Sequence, residues 1–246
     1  MMKHLLKLSA IGMLVTPFAV ARADLMFTSF VDLGASGLGA VNTTLTFGTT
    51  QQATTEQGCV GFNGTTDVIG NFTTNTQSGC TLATNTDVFT GASQTHTHTL
   101  AELGISSGSS FAILFNAVEP AGNSITLDGL VATFYGNDGT ILMTASLPSP
   151  MDILATATGT GNSGQEFVLT GTEAAELQGF ITALGAGNIR VGIGAAAGNP
   201  LPAEGGHETV FVFNGTVVPE PSTITLAGTG LLGLLGAGFV RRRRRR

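Results

Sequence analysis

The basic residues of this chain lie almost entirely at its two ends, and this distribution limits what the chain can fold into. Between Asp24 and Val218 the only lysine or arginine is Arg190, against fifteen aspartates and glutamates, a net charge of −14. A body with this charge is a poor partner for nucleic acid or anionic lipid, since both are bound mainly through lysine and arginine. We therefore expect the fold to comprise the acidic residues 24–217, without the two ends.

The first 23 residues have the three parts of a secretory signal peptide. Lys3 and Lys7 form a cationic start, an apolar stretch covers residues 8–20, and residues 21–23 provide a small-x-small cleavage site. The apolar stretch is too short for a membrane anchor, which takes about 20 residues. We expect cleavage after Ala23 and export through the inner membrane.

Cys59 and Cys80 are the only cysteines of the chain. Both lie in the part that we expect to be exported, where oxidation is permitted, and two cysteines are what one disulfide requires. A metal or redox pair is disfavoured because no Cys-x-x-Cys motif is present. The sequence therefore predicts a disulfide between Cys59 and Cys80.

The last 29 residues have three parts in a fixed order. An extended motif comes first, and its prolines cannot continue a helix. Residues 223–240 follow as an uncharged run of 18, just long enough for a transmembrane helix. A terminal run of arginines stops transfer and holds that end in the cytoplasm. The motif is Val218, Pro219, Glu220, Pro221 and Ser222, and the arginines are Arg241, Arg242, Arg243, Arg244, Arg245 and Arg246.

This tail resembles the PEP-CTERM sorting domain of Gram-negative bacteria, which is also labelled as the C-terminal segment of ice-binding proteins. The resemblance covers residues 218–246 and implies recognition of the motif by an exosortase, a membrane enzyme of the transpeptidase type. It also implies removal of the tail and delivery to the cell surface or an extracellular matrix. Part of the body, residues 134–211, is similar to the body of a group of PEP-CTERM proteins, which implies no settled activity.

Short apolar segments separated by turn residues predict a mostly β body, arranged as a single antiparallel β-sandwich. Before residue 110 the pattern indicates short strands in long polar loops. Asp138 and Gly139 are expected to supply the positive φ angles of a hairpin turn. After residue 110 we predict strands at 111–118, 125–135, 141–147, 166–169, 189–193 and 210–217.

One short helix is expected among the strands. Thr172 resembles an N-cap with acidic residues in the first turn, and apolar residues recur at helical spacing from Leu177 to Leu184, before Gly185. We expect this helix to lie over one edge or face of a sheet.

Two histidines are candidate metal ligands. His96 and His98 would share a face of a strand, and Glu102 is a conceivable third ligand. An exposed polar strand or loop is the alternative interpretation, and we favour it.

No cofactor is expected, but calcium is considered for the acidic body, because it binds carboxylate oxygens and would reduce repulsion there. Asp128, Asp138 and Asp152 lie near predicted turns, but no Asp-x-Asp-x-Asp loop is present. A solvated acidic surface is the interpretation that we favour.

The sequence gives little support for an enzyme. Residues 104–108 match Gly-x-Ser-x-Gly, but Ser106 lacks the strand before it and the helix after it that a nucleophile elbow needs. His207 and Glu208 lack the second histidine of a zinc protease helix.

Threonine repeats at alternate positions in residues 95–99 and 156–160. A flat ice-binding array would need many stacked copies, and no fixed-period repeat is present. We expect ordinary strand threonines that face outward.

These observations predict an exported, non-enzymatic protein of the cell surface or an extracellular matrix, associated with biofilm exopolysaccharide. Its expected partners are an exosortase, the inner membrane through the C-terminal helix before release, and extracellular polysaccharide. The alternatives are a module that binds a glycan or a divalent cation, and a secreted hydrolase. Tryptophan is absent and Tyr135 is the only tyrosine, which disfavours an exposed aromatic platform for a polysaccharide.

Overall fold

The computed structural model describes residues 23–32, 43–48, 54–74, 76–91, 93–120, 123–154 and 163–215. The predicted signal peptide, except for Ala23, and the whole of residues 218–246 lie outside these ranges. The described helices are all too short or too polar to cross a membrane. The predicted transmembrane run at 223–240 is not among the described residues.

The described chain is mostly β, as predicted, with one α-helix, α1, at Gly171–Leu184. Each of the six strands predicted after residue 110 is present, and β10 is an additional one. The strands are β1 Ala23–Asp32, β2 Thr43–Phe47, β3 Glu56–Phe62, β4 Asp67–Phe72, β5 Cys80–Leu82, β6 His98–Thr99, β7 Phe111–Asn116, β8 Ser124–Gly136, β9 Ile141–Ser146, β10 Met151–Leu154, β11 Ser163–Leu169, β12 Ile189–Ala197 and β13 Glu208–Asn214.

The strands form two sheets. The first sheet has the order β9-β8-β12-β3-β4-β5, with β10 paired to β8 and β6 paired to β12, and the second has the order β2-β13-β7-β11-β1. The predicted antiparallel pairing is found throughout the described sheets, except at one short parallel pair. Ala23 and Asp24 at the start of β1 pair in parallel with β9, whereas Leu25 onward pairs with β11. Strand β1 therefore passes from one sheet to the other.

The two sheets share one apolar core, an arrangement that fits the predicted β-sandwich. Phe111 of β7 contacts Phe134 of β8 across the sheets, edge to face, with 4.9 Å between the ring centroids. Alternate residues of β7, Phe111, Ile113 and Phe115, enter this core, as burial of one sheet face requires. The second sheet contributes Leu45, Phe115 and Val210 to this core, and the first contributes Leu127, Val191 and Ile193.

The predicted hairpin between β8 and β9 is present, but one of its residues behaves differently. Gly139 has a positive φ of 81°, whereas no described residue other than glycine has a positive φ. The expectation of a positive φ at Asp138 is therefore wrong. Asp138 instead accepts a hydrogen bond from the Thr140 backbone N–H at 2.9 Å. Glycine takes the left-handed conformation without steric cost because it lacks a Cβ.

The cap of the helix lies two residues earlier than expected. The N-cap is Thr170, whose backbone is extended, and its carbonyl already accepts the Ala174 N–H at 2.9 Å. Thr172, the predicted N-cap, therefore lies in the first turn. Gly185 ends the helix with a φ of 84°. Leu177 is fully buried in the core, so α1 packs against the sheets as predicted.

Candidate functional site

Cys59 and Cys80 form a disulfide, which confirms the prediction. Cys59 lies in β3 and Cys80 begins β5, with 5.4 Å between their Cα atoms. Strand β4 pairs with both of these strands. The bond therefore holds the turn between β4 and β5 against the first sheet.

The segment from Thr95 to Thr99 alternates its side chains as a strand does. His96 and His98 share one side and are half-buried, while Thr95 and Thr97 are 2% and 4% exposed. The expectation of outward-facing threonines is wrong at these two positions, because the Thr95 hydroxyl accepts the Thr46 N–H at 3.1 Å inside the body. The second threonine run, 156–160, lies outside the described residues.

The one arginine of the body is engaged within the fold. Arg190 lies over the ring of Phe62 at 5.0 Å and donates to the carbonyl and the hydroxyl of Thr97 at 3.0 and 3.2 Å. The Thr97 hydroxyl donates to Asp67, whose other carboxylate oxygen is 3.2 Å from Nδ1 of His96. This network orients His96 through protein groups.

His98 and Glu102 have different partners. Nε2 of His98 is 3.4 Å from the Thr43 carbonyl, and burial lowers the pKa of His98. Glu102 accepts the Thr99 N–H at 2.7 Å, a hydrogen bond that lowers the pKa of Glu102. Thr99 accepts the Glu102 N–H in return, which makes a capping box. The described ranges hold no group of three or more His, Cys, Asp or Glu residues that would bind a metal ion.

The three aspartates considered for calcium each accept a hydrogen bond from another group of the protein. Asp128 accepts the Asn199 N–H at 3.2 Å, and burial raises the pKa of Asp128. Asp152 accepts the Thr126 hydroxyl at 2.7 Å, and Asp138 caps its own turn. The structure does not bring these three together as ligands.

Ser106 is exposed and lies in a turn that leads into a short 3₁₀ turn, Gly108–Ser110, and then into β7. The strand-turn-helix context of a nucleophile elbow is therefore absent at this described segment. His207, the third histidine of the body, packs its ring against Phe89 with 3.9 Å between centroids.

Three buried carboxyl groups, those of Glu56, Glu119 and Glu208, form a cluster that the sequence did not indicate. Glu208, at the start of β13, is fully buried, and its carboxyl group interacts with that of Glu56. Burial raises the pKa of Glu208 well above its usual range, and the neighbouring Glu56 and Glu119 raise it further. Glu56 and Glu119 are themselves 4% and 3% exposed. This cluster is closed to solvent, so it bears on stability and not on substrate binding.

A groove of about 500 Å³ lies on the outer face of the first sheet. Its floor is formed by β8 and β9, and Gly129, Val131, Thr144 and Ser146 of this floor alternate with the core residues of those strands. One wall is the turn between β4 and β5, and the other is the connection from β9 to β10, with Leu147, Pro148, Ser149 and Pro150. The Thr133 hydroxyl donates to the Ser78 carbonyl at 2.9 Å and fixes the first wall to the sheet.

No motif or spacing in the sequence indicated this groove. Gly129 within β8 is the signal that was present, because a glycine inside a strand often marks a close approach of another group. The three-part tail, which is the other candidate site, lies outside the described residues. Comparisons with protein-family models, with curated proteins and with solved structures find no match to this chain. Function is therefore inferred from the residues of this chain alone.

Proposed function

We propose that this chain is an exported, non-enzymatic β-sandwich protein of the cell surface or extracellular matrix of a Gram-negative bacterium, sorted by an exosortase. The three-part tail carries the proposal. Residues 223–240 hold the chain in the inner membrane, with the arginines 241–246 in the cytoplasm. The exosortase then reads Val218, Pro219, Glu220, Pro221 and Ser222, and the body is released to the outside.

Two features of the folded body support this proposal. Strand β13, the last described strand, ends at Asn214, four positions before Val218, so the described sheets do not include the motif. The Cys59–Cys80 disulfide is typical of proteins that mature outside the cytoplasm.

A binding module is the second candidate, and the groove on the first sheet favours it. Asp128 is the one ionisable side chain among the residues that line this groove. Hydrolysis by paired carboxylates, or by a serine and a histidine, requires more than one such group. The groove is therefore better suited to binding than to hydrolysis.

Replacing Pro219, Glu220 and Pro221 by alanine is expected to abolish sorting, because the extended segment that the exosortase reads is lost while the apolar run is kept. Full-length protein should then accumulate in the membrane. The measurement is an immunoblot of membrane and extracellular fractions in a host that has an exosortase.

The matched control replaces Thr223 and Thr225 by alanine, beyond the motif, and should be processed like the wild type. Deleting the six arginines should weaken retention in a different way, by removing the charges that resist translocation. If the triple-alanine variant is trimmed and released like the wild type, the sorting proposal is wrong.

The mature protein is expected to begin at Asp24. Cleavage there removes Ala23 alone from β1, and the pairing of Leu25 onward with β11 is kept. Amino-terminal sequencing of the exported fraction tests this, and an intact Met1 on exported protein would contradict it.

A further inference from the structure

The groove on the outer face of the first sheet combines the aromatic ring of Phe72 with free hydrogen-bonding groups. Phe72 stands at one side, and Pro148 and Pro150 stand at the other. Its volume of about 500 Å³ lies within the range of small-molecule sites. Such a shape places a ligand between Phe72 and the two prolines, over the residues of β8 and β9.

The Phe72 ring packs against two glycines of neighbouring strands. A Cβ on Gly129 of β8 would lie 2.7 Å from the ring tip, and one on Gly194 of β12 would lie 2.9 Å from Cδ2. Any larger residue at Gly129 would push the ring away from the sheet. These glycines thus set the position of Phe72, and with it the width of the groove.

The floor and walls offer hydrogen-bonding groups that the protein does not use. The side chains of Gln77, Thr144, Ser146 and Ser149 line the groove and form no hydrogen bond with any described residue. A hydroxyl both donates and accepts, and an amide side chain does the same. The groove therefore matches a ligand that is itself rich in hydroxyl groups.

The charge of the groove excludes anions. Asp128 is its one ionisable lining residue, and the body around it carries a net charge of −14. A carboxylate accepts hydrogen bonds from hydroxyls and repels phosphate, sulfate and uronate groups. One oxygen of Asp128 accepts the Asn199 N–H, which orients the carboxylate.

We propose that this groove binds a short segment of a neutral polysaccharide. A sugar ring packs its apolar face against Phe72, while its hydroxyls bond to Asp128, Thr144 and Ser146. Phenylalanine lacks the polar group of tryptophan or tyrosine, so the hydroxyl side chains supply the directional contacts. The inference extends the proposed surface role by naming a ligand class, and it concerns the folded body and not the tail.

The test is isothermal titration calorimetry on full-length protein, in a detergent without a sugar headgroup. The probes are neutral cellohexaose, maltohexaose and chitohexaose, with anionic hexagalacturonate for comparison. We expect at least one neutral hexasaccharide to bind, and hexagalacturonate to bind more weakly or not at all. Gly129→Ala should weaken binding about tenfold or more, because it displaces the ring on which the sugar packs.

The matched control is Gly179→Ala on α1, where a Cβ meets no atom within 4 Å, and it should bind like the wild type. Asp128→Asn, which keeps the side-chain size, should also weaken binding about tenfold. If thermal unfolding shows that Gly129→Ala is not folded, the affinity of Asp128→Asn for the neutral probes decides the test. The proposal would be overturned if no neutral probe binds, if Asp128→Asn keeps the wild-type affinity, or if hexagalacturonate binds equally tightly. The immunoblot of the tail variants tests sorting separately, so the two proposals can fail independently.

Discussion

Raising the pH from about 5 to about 8 is expected to destabilise the folded body, because Glu208 keeps a proton that the unfolded chain releases. The pKa of Glu208 lies near 4.5 when the chain is unfolded and well above this value when it is folded. The stabilising contribution is therefore complete below pH 4.5 and is lost as the pH rises toward the folded pKa. One such proton changes the free energy of unfolding by up to about 1.4 kcal/mol per pH unit.

Other groups contribute to this pH dependence in both directions. Burial also raises the pKa of Asp87 and of Glu119, which adds to the loss of stability at higher pH. The lowered pKa of His98 opposes it, because the unfolded form of His98 binds its proton more tightly. A variant of Glu208 is therefore needed to isolate the contribution of Glu208 to the pH dependence of stability.

Glu208→Gln removes the titration while keeping the side-chain volume. We expect its stability to depend less steeply on pH than that of the wild type, and to exceed the wild-type stability at about pH 8. Urea unfolding between about pH 5 and pH 8 measures both quantities. The control is Glu176→Gln, at an exposed position of α1, which should keep the wild-type slope. Equal slopes for Glu208→Gln and the wild type would show that Glu208 does not hold the extra proton.

Removing the disulfide is expected to be the second large effect. Cys59→Ser should lower the free energy of unfolding by about 3 kcal/mol, because the bond closes a loop of about 20 residues in the unfolded chain. It should also loosen the turn between β4 and β5, which starts from Phe72 and forms one wall of the groove. Urea unfolding of the variant, beside wild type with and without reductant, measures the stability.

Thiol labelling provides the direct check of the bond. Denatured but unreduced wild-type protein should carry no free cysteine, since Cys59 and Cys80 are the only two of the chain. Two labelled sites in exported protein would refute the bridge. A variant with serine at both positions should be destabilised by the same amount as Cys59→Ser, because either change removes the same bond.

Some of the fold followed from local sequence. The apolar, β-branched and aromatic segments after residue 110 were correctly predicted as strands, since strand propensity and alternation are local properties. The turn at Asp138 and Gly139 was placed correctly, but its φ angles were not, because an aspartate can cap a turn through its side chain without taking a positive φ. The helix was found and its cap was misplaced by two residues, since both positions hold threonine and Thr170 caps the helix without a side-chain hydrogen bond.

The sequence by itself determined the β class, the helix and the disulfide, because each depends on neighbouring residues or on having two cysteines in all. Only the tertiary structure decided the carboxyl cluster and the groove. Glu56 and Glu208 lie on strands of different sheets, far apart in the chain, and local pattern contains no information about which strands meet. Phe72 and Gly129 are likewise brought together by the fold. Burial raises the pKa of Glu208, so that its carboxyl group keeps a proton. The fold also packs the ring of Phe72 against Gly129, where a Cβ would clash with the ring.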